Sequence, residues 1–219
     1  MPTIDVPAFK QPKDSVLCGP TSVRMVLAYY GITTSLLKIV SRLRMLKNGI
    51  YLPDLGRLLM EYGFETELRY WQIGMKPRWF GVNDSDQQRS ILRTKVRNIH
   101  KREWDACRGK LLKYINTRGS LMFKPIMPSD IESELVAKRP VIMSVNSRVM
   151  LARGGTDRGH FIVVNHISDR DTQCSKSMLG YLDPFDGRDH LKYLEDIMFC
   201  NHIWDGGGLL IRPAKKSSK

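Results

Sequence analysis

QPKDSVLCGPTSVRMVLAYYG, residues 11–31, joins a helix signal to a reactive residue type. Val23, Val26, Leu27 and Tyr30 fall at the i, i+3, i+4, i+7 spacing of an amphipathic helix. Pro20 stands where a first-turn proline is tolerated, and Gly31 where a left-handed terminal residue is wanted. These signals predict a helix of about eleven residues that starts just after Cys18-Gly19. The Cys18 sulfur then sits at a helix amino terminus, where unpaired N–H groups and the macrodipole favour a thiolate. Gly19 permits close approach of another backbone or a ligand. Upstream, the Gln11 amide is a hydrogen-bond donor on the same side of the sequence. A cysteine nucleophile with an oxyanion donor has this layout. A small buried hydrophobe at a helix start has it too, so the decision rests on the remaining residues.

Composition narrows the choice. The 219 residues are 42 % apolar, enough to bury a core and too apolar for a disordered chain. We expect one domain over 1–219, with a basic insertion at 72–120. No run of about 18 apolar residues occurs, so no membrane span is expected. The opening MPTIDVPAFKQPKD lacks a signal-peptide apolar region. Cys18, Cys107, Cys174 and Cys200 are widely spaced and suggest neither a disulfide framework nor a zinc ribbon. A cytoplasmic protein with reduced thiols is the expectation. Thirty-five basic against 22 acidic residues give a net charge of +13, which suits an anionic partner and equally describes a solvated basic face.

Along the chain, Leu36, Ile39, Val40 and Leu43 predict a second helix ended by Asn48-Gly49. Pro53 opens a third, carrying Leu55, Leu58, Leu59 and Tyr62 and closed by Gly63, and Phe64 to Tyr70 alternates as a strand. The 72–120 segment predicts basic helix, with Arg89, Arg93, Lys95, Arg97, Lys101, Arg102, Arg108 and Lys110. Trp71, Trp79 and Trp104 lie in or beside it as candidates for a substrate wall or partner patch. Ser129 and Glu132 read as a capping box. Strands follow at Val141–Val145, His160–Ile167 and 178–182, with the glycine-containing loop 147–159 as a candidate rim or lid. A helix near 189–198 and a closing strand from Gly208 complete the order. Helices first and then an antiparallel sheet define an α+β domain.

Thiol catalysis needs a base, a group that orients the base, and donors for an oxyanion. His160 begins a strand after a glycine, and Asp183 ends the next one, before Pro184. If the two strands form a hairpin, antiparallel pairing makes His160 and Asp183 cross-strand neighbours. Asp186 is a close rival for Asp183, because Asp-Pro-Phe-Asp-Gly is turn chemistry in either case. His166 shares the His160 face further along and is second choice as base. Taken singly, His160 reads as a strand-edge residue, Asp183 as a turn former and Gln11 as surface. His100 and Cys107 are far from any paired motif, and His190, His202, Cys174 and Cys200 lack ligand spacing, so no metal or cofactor is expected.

Together, Gln11…Cys18-Gly-Pro-Thr-Ser…Tyr-Tyr-Gly, Lys138-Arg-Pro-Val-Ile-Met-Ser-Val, Gly159-His-Phe-Ile-Val-Val and Tyr181-Leu-Asp-Pro-Phe resemble the C39 and C39-like cysteine peptidases of the papain-like group. The resemblance implies a papain-like fold of amino-terminal helices packed on an antiparallel sheet. It implies Cys18 as nucleophile, His160 as general base and acid, Asp183 as orienter and Gln11 as oxyanion donor. Some members cut peptide leaders after a double glycine. Peptide-bond hydrolysis through a thioester is therefore expected. The alternatives are a peptidoglycan amidase or acyltransferase of the same fold, and a basic adaptor that binds nucleic acid or a partner protein.

Overall fold

The computed structural model describes residues 2–72, 75–94, 101–150, 159–168 and 176–214, with backbone alone for 101–104 and 106. The first helix, α1 (Cys18–Tyr29), buries Val23, Val26 and Leu27 of the expected stripe together with Met25, while Tyr30 caps it half-buried. It ends where Gly31 takes a φ of 77°, a left-handed conformation cheap only for glycine. Helix α2 (Leu36–Ser41) starts at Ser35, whose side chain accepts the Lys38 N–H at 3.2 Å. It stops well short of Asn48, because the chain folds back in a Leu46–Gly49 bridge with Gly49 at φ 113°. Helix α3 (Leu52–Glu61) buries Leu55, Leu58 and Leu59.

The sheet has seven strands: β1 (Phe64–Arg69), β2 (Ser120–Met122), β3 (Val141–Asn146), β4 (Gly159–Ile167), β5 (Met178–Asp183), β6 (Arg188–Tyr193) and β7 (Gly208–Pro213). Their spatial order is β2-β1-β7-β3-β4-β5-β6. Every pairing is antiparallel except β1 with β2 at one edge. All six residues of β3 are buried, the apolar Val141, Ile142, Met143 and Val145 together with Ser144 and Asn146, as suits a central strand. Helix α1 packs on β4, and α3 on β1 and β7. Behind this sits the papain-like order expected from sequence: helices first, then the sheet.

Two further local expectations fail. The capping box at Ser129 is displaced: α6 (Pro128–Val136) starts from Met127, whose N–H donates to Asp130 Oδ2 at 3.0 Å. Pro128 fits the first helical position, and that fixes the start two residues earlier. Residues 188–193 are not the beginning of a helix but strand β6, with α8 (Leu194–His202) following. Leu191, Leu194 and Ile197 satisfy helical spacing, yet β5 offers a backbone ladder that pairs six residues in register, Met178↔Tyr193 through Asp183↔Arg188. A short apolar pattern cannot outweigh that tertiary pairing.

The basic segment is helical, with a short 3-10 turn (Pro77–Trp79), α4 (Ser85–Arg93) and α5 (Lys101–Asn116). Its apolar residues join the core: Leu92, Leu111 and Tyr114 are fully buried. The Tyr114 ring lies so close to Gly56 of α3 that a Cβ there would come within 2.6 Å. Its hydroxyl donates to Thr66 O at 2.8 Å and lies 2.9 Å from Thr66 Oγ1. Lys110 Nζ stands 2.8 Å from Asp54 Oδ2 on α3. Arg89 pairs with Asp86 and Arg108 with Asp105. Lys95, Arg97 and His100 lie outside the described residues, as do residues 151–158 of the candidate lid, Cys174, and the side chains of Lys101, Arg102 and Trp104. Residues 147–150 of that loop form a helical turn, α7 (Ser147–Met150). Among the described residues no helix is long and apolar enough to cross a membrane.

If α5 is part of the core, Tyr114→Phe lowers the unfolding free energy by about 1–3 kcal/mol, since a buried carbonyl loses its donor. Denaturant unfolding measures this. An unchanged midpoint would show that the Tyr114–Thr66 contact contributes nothing.

Candidate active site

Cys18 is the first residue of α1, and the packing of that helix on β4 carries the thiol to His160. The approach depends on Gly19: a Cβ there would lie 2.8 Å from Ile50 Cγ2 and 3.1 Å from the Phe161 ring. A larger residue there would have to displace the Ile50 side chain and press on Phe161 of β4 and Leu55 of α3. The Cys18 thiol hydrogen-bonds with the His160 side chain, and the N–H groups of Phe161 and Gly19 also point to it. Burial alone would push the thiol up. The His160 bond and charge, helped by the two N–H groups, outweigh burial and hold Cys18 below the ordinary thiol range.

His160 is the second residue of β4 and is paired with Val145. Its Nε2 lies 2.6 Å from Asp183 Oδ1. With Nε2 occupied, Nδ1 is left to face the thiol. Leu182 stands opposite Val163, so Asp183 falls one step beyond, and His160 is its diagonal rather than its direct cross-strand neighbour. Diagonal pairs remain within reach of long side chains, and imidazole spans the gap. Burial would depress the imidazole; the bonds to Asp183 and Cys18 overcome it and raise His160 well above its ordinary range. Asp183 is only 2 % exposed. Burial would raise its carboxyl, but the His160 bond and the Phe185 N–H at 2.8 Å hold it below the usual range.

Asp186, the rival orienter, turns elsewhere: its carboxylate meets His190 Nε2 at 3.0 Å. His166 bonds Thr3 Oγ1 at 2.6 Å, past a bulge in β4 between Val164 and His166 that changes the strand's side-chain alternation. His202 Nε2 lies 3.2 Å from Ile126 O. Gln11 is anchored beside the same hairpin, its N–H donating to Pro184 O at 2.7 Å. One hydrogen of its side-chain amide goes to Ser15 O at 2.9 Å, which leaves the second for another acceptor. Among the described residues, no three or more His, Cys, Asp or Glu gather as a metal site would require.

Sequence reasoning missed the residues that brace this corner. Asn201 is fully buried, and its Nδ2 donates to Ser144 O at 2.7 Å and Gly207 O at 2.9 Å, tying α8 to β3 and to the turn before β7. Ser144 donates its hydroxyl to Asp205. The Trp204 indole covers Gly159, where a Cβ would lie 2.6 Å from the ring. The only sequence signal for this was the triple glycine 206–208 after Trp204-Asp205.

The sequence model of the Peptidase_C39 like family matches residues 3–204, across the basic segment as well as the site. The chain belongs to that family. It is accordingly a cysteine peptidase, which sets aside the non-catalytic adaptor. Solved structures share the fold of this C39-like peptidase. One is a double glycine motif protease from an AMS/PCAT transporter in complex with the leader peptide, at 16 % identity and a TM-score of 0.50, covering 97 % of this chain and 94 % of that one. Another is the peptidase domain of Streptococcus ComA, a bi-functional ABC transporter of a quorum sensing pathway, again at 16 % identity and 0.50, covering 95 % and 99 %. No curated protein matches the chain significantly.

The thiols of the peptidase differ in a way that alkylation reads directly. Burial pushes Cys107 up to about 12 and raises Cys200, whereas Cys18 is lowered. At neutral pH iodoacetamide therefore modifies Cys18 before Cys107 and Cys200, and His160→Ala removes most of the difference. Equal rates at the three thiols in the native protein would contradict the site.

Proposed function

We propose that the protein hydrolyses a peptide bond in an extended leader peptide, with Cys18 as nucleophile, His160 as acid and base, Asp183 as orienter and Gln11 as oxyanion donor. The observation that carries the proposal is the position of His160, bonded at once to the Cys18 thiol and, at 2.6 Å, to Asp183. A lowered thiol beside a raised imidazole favours the thiolate–imidazolium form, the activated state of a cysteine nucleophile. The leader-peptide substrate is supported by the family and by the fold shared with a protease solved in complex with its leader peptide. Reaction in the cytoplasm is consistent with the unpaired state of Cys18, Cys107 and Cys200.

On this reading the steps are these. The Cys18 thiolate adds to the scissile carbonyl carbon, and the carbonyl electrons move to oxygen. That oxyanion is met by the Cys18 N–H, free at the first position of α1, and by the spare hydrogen of the Gln11 amide. The tetrahedral adduct collapses, the C–N bond breaks, and His160 gives its proton to the leaving amine. An acyl thioester remains on Cys18. His160, now neutral, takes a proton from water as the water attacks the thioester, and collapse releases the carboxylic acid and the thiolate. Throughout, Asp183 keeps the ring oriented and favours its charged form. Hydrolysis rather than transfer is the reading, since water serves as the second acceptor without any further bound group.

The test is cleavage of a synthetic leader peptide, with Cys18→Ala lowering the rate on the order of a thousandfold or more. Cleavage by Cys18→Ala at the parent rate would overturn the proposal. A pH profile adds a signed prediction. The thiolate sets the acid limb and the imidazolium the basic limb, so kcat/KM is bell-shaped. Asp183 raises His160, so Asp183→Ala moves the basic limb to lower pH and lowers kcat by roughly a hundredfold. An unmoved basic limb would remove Asp183 from the role of orienter.

A further inference from the structure

Asp186 and His190 form a second carboxylate–imidazole pair that the steps above leave unused. His190 Nε2 lies 3.0 Å from Asp186 Oδ2 and 3.2 Å from Oδ1. The His190 ring stacks on Tyr181, its cross-strand partner, with centroids 5.3 Å apart and planes at 19°. The Arg188 N–H donates to Asp186 Oδ1 at 3.0 Å. Both members of the pair are 32 % exposed, and a pair this open to water contributes little to global stability. Its consequence is local.

The pair closes the turn that joins β5 to β6, and that turn carries the contacts that shape the site. Within it, the Phe185 N–H donates to Asp183 Oδ1 at 2.8 Å, on the same oxygen that meets His160. The Gly187 N–H donates to Asp183 O at 2.8 Å, and Pro184 O accepts the Gln11 N–H at 2.7 Å. Gly187 has φ 70°, and a Cβ there would lie 2.9 Å from Lys10 N, so turn and amino-terminal segment are in direct contact. One four-residue connection thus holds both the carboxylate behind His160 and the backbone of Gln11.

We propose that Asp186 is a positioning residue: through the Arg188 N–H and His190 it holds turn 184–187 in the form that sets Asp183 behind His160 and Gln11 beside the same corner. This rests on the proposed peptidase mechanism and adds to it a residue that touches no reacting atom. Loosening the turn moves two functional groups together, so its effect falls on the chemical step more than on the capture of an extended peptide. The imidazolium also loses part of its support, and the thiolate with it.

The test uses the full chain with Asp186→Ala, Asp186→Asn and His190→Gln, reading kcat and KM on a cleaved leader peptide, the pH profile of Cys18 alkylation, and Tm. Asp186→Ala is expected to lower kcat about tenfold with KM nearly unchanged, and to move the acid limb of alkylation to higher pH. Asp186→Asn keeps an oxygen for the Arg188 N–H and recovers most of kcat. His190→Gln gives a smaller loss of the same kind, and carries the test alone if Asp186→Ala does not fold. Parent kcat and pH profile in Asp186→Ala would overturn the proposal. So would an activity loss that merely tracks the folded fraction, or an Asp186→Asn variant no better than alanine. A parent protein without preferential Cys18 labelling would defeat the peptidase mechanism itself; an active parent with an indifferent Asp186→Ala defeats only the role of Asp186.

Discussion

A carboxylate that is 2 % exposed stays ionised only when a partner answers it, and in this fold the partner of Asp183 is His160. The dependence runs on from there. Because Asp183 favours the charged imidazole, His160 is raised; because His160 is raised and bonded to Cys18, the thiol is lowered despite its burial. Each of the three groups is shifted by its neighbours against the effect of its own burial. None of these shifts survives separation, so the fold's task is to keep a helix end and two strand ends at one corner.

Backbone features perform that task. The antiparallel register of β4 and β5 brings His160 and Asp183 onto a diagonal, and Gly19 lets the end of α1 close against Phe161. On the far side of β4, β3 is buried along its whole length, and the Asn201 amide fastens it to α8. Asn201 donates to two carbonyls from a fully buried position, and those two bonds fix α8 against β3 and the turn before β7. The amino-terminal segment is held to the same corner through Pro184 O, which places Gln11 without any helix or strand of its own.

Much of this was legible before any coordinates. Three helices, the buried run of β3 and the β4–β5 hairpin follow from spacing and composition, and hairpin arithmetic alone brings His160 near Asp183. What the arithmetic could not decide was which aspartate of Asp-Pro-Phe-Asp-Gly faces the imidazole, because both flank the same turn; the choice depends on the register, which ends β5 at Asp183. Strand β6 was hidden because its Leu191 falls in helical spacing with Leu194 and Ile197 of the helix that follows, and only the edge of β5 discriminates. The brace of Ser144, Asn201 and Asp205 was hidden for a different reason: its contacts join positions about 60 residues apart through closure of the sheet, which no local pattern encodes. The basic segment reads as solvated helix from its charge, yet Leu92, Leu111 and Tyr114 sink it into the core.

The most direct measurement of the central claim is a crystal structure of the protein inactivated by a peptide aldehyde. Addition of the Cys18 sulfur to such an aldehyde leaves a hemithioacetal oxygen where the oxyanion of the reaction would stand. The account predicts a bond to Cys18, that oxygen within about 3 Å of the Cys18 N–H and the Gln11 amide nitrogen, and the His160–Asp183 contact intact. An adduct on another thiol would contradict it, as would an oxygen on Cys18 that meets neither donor.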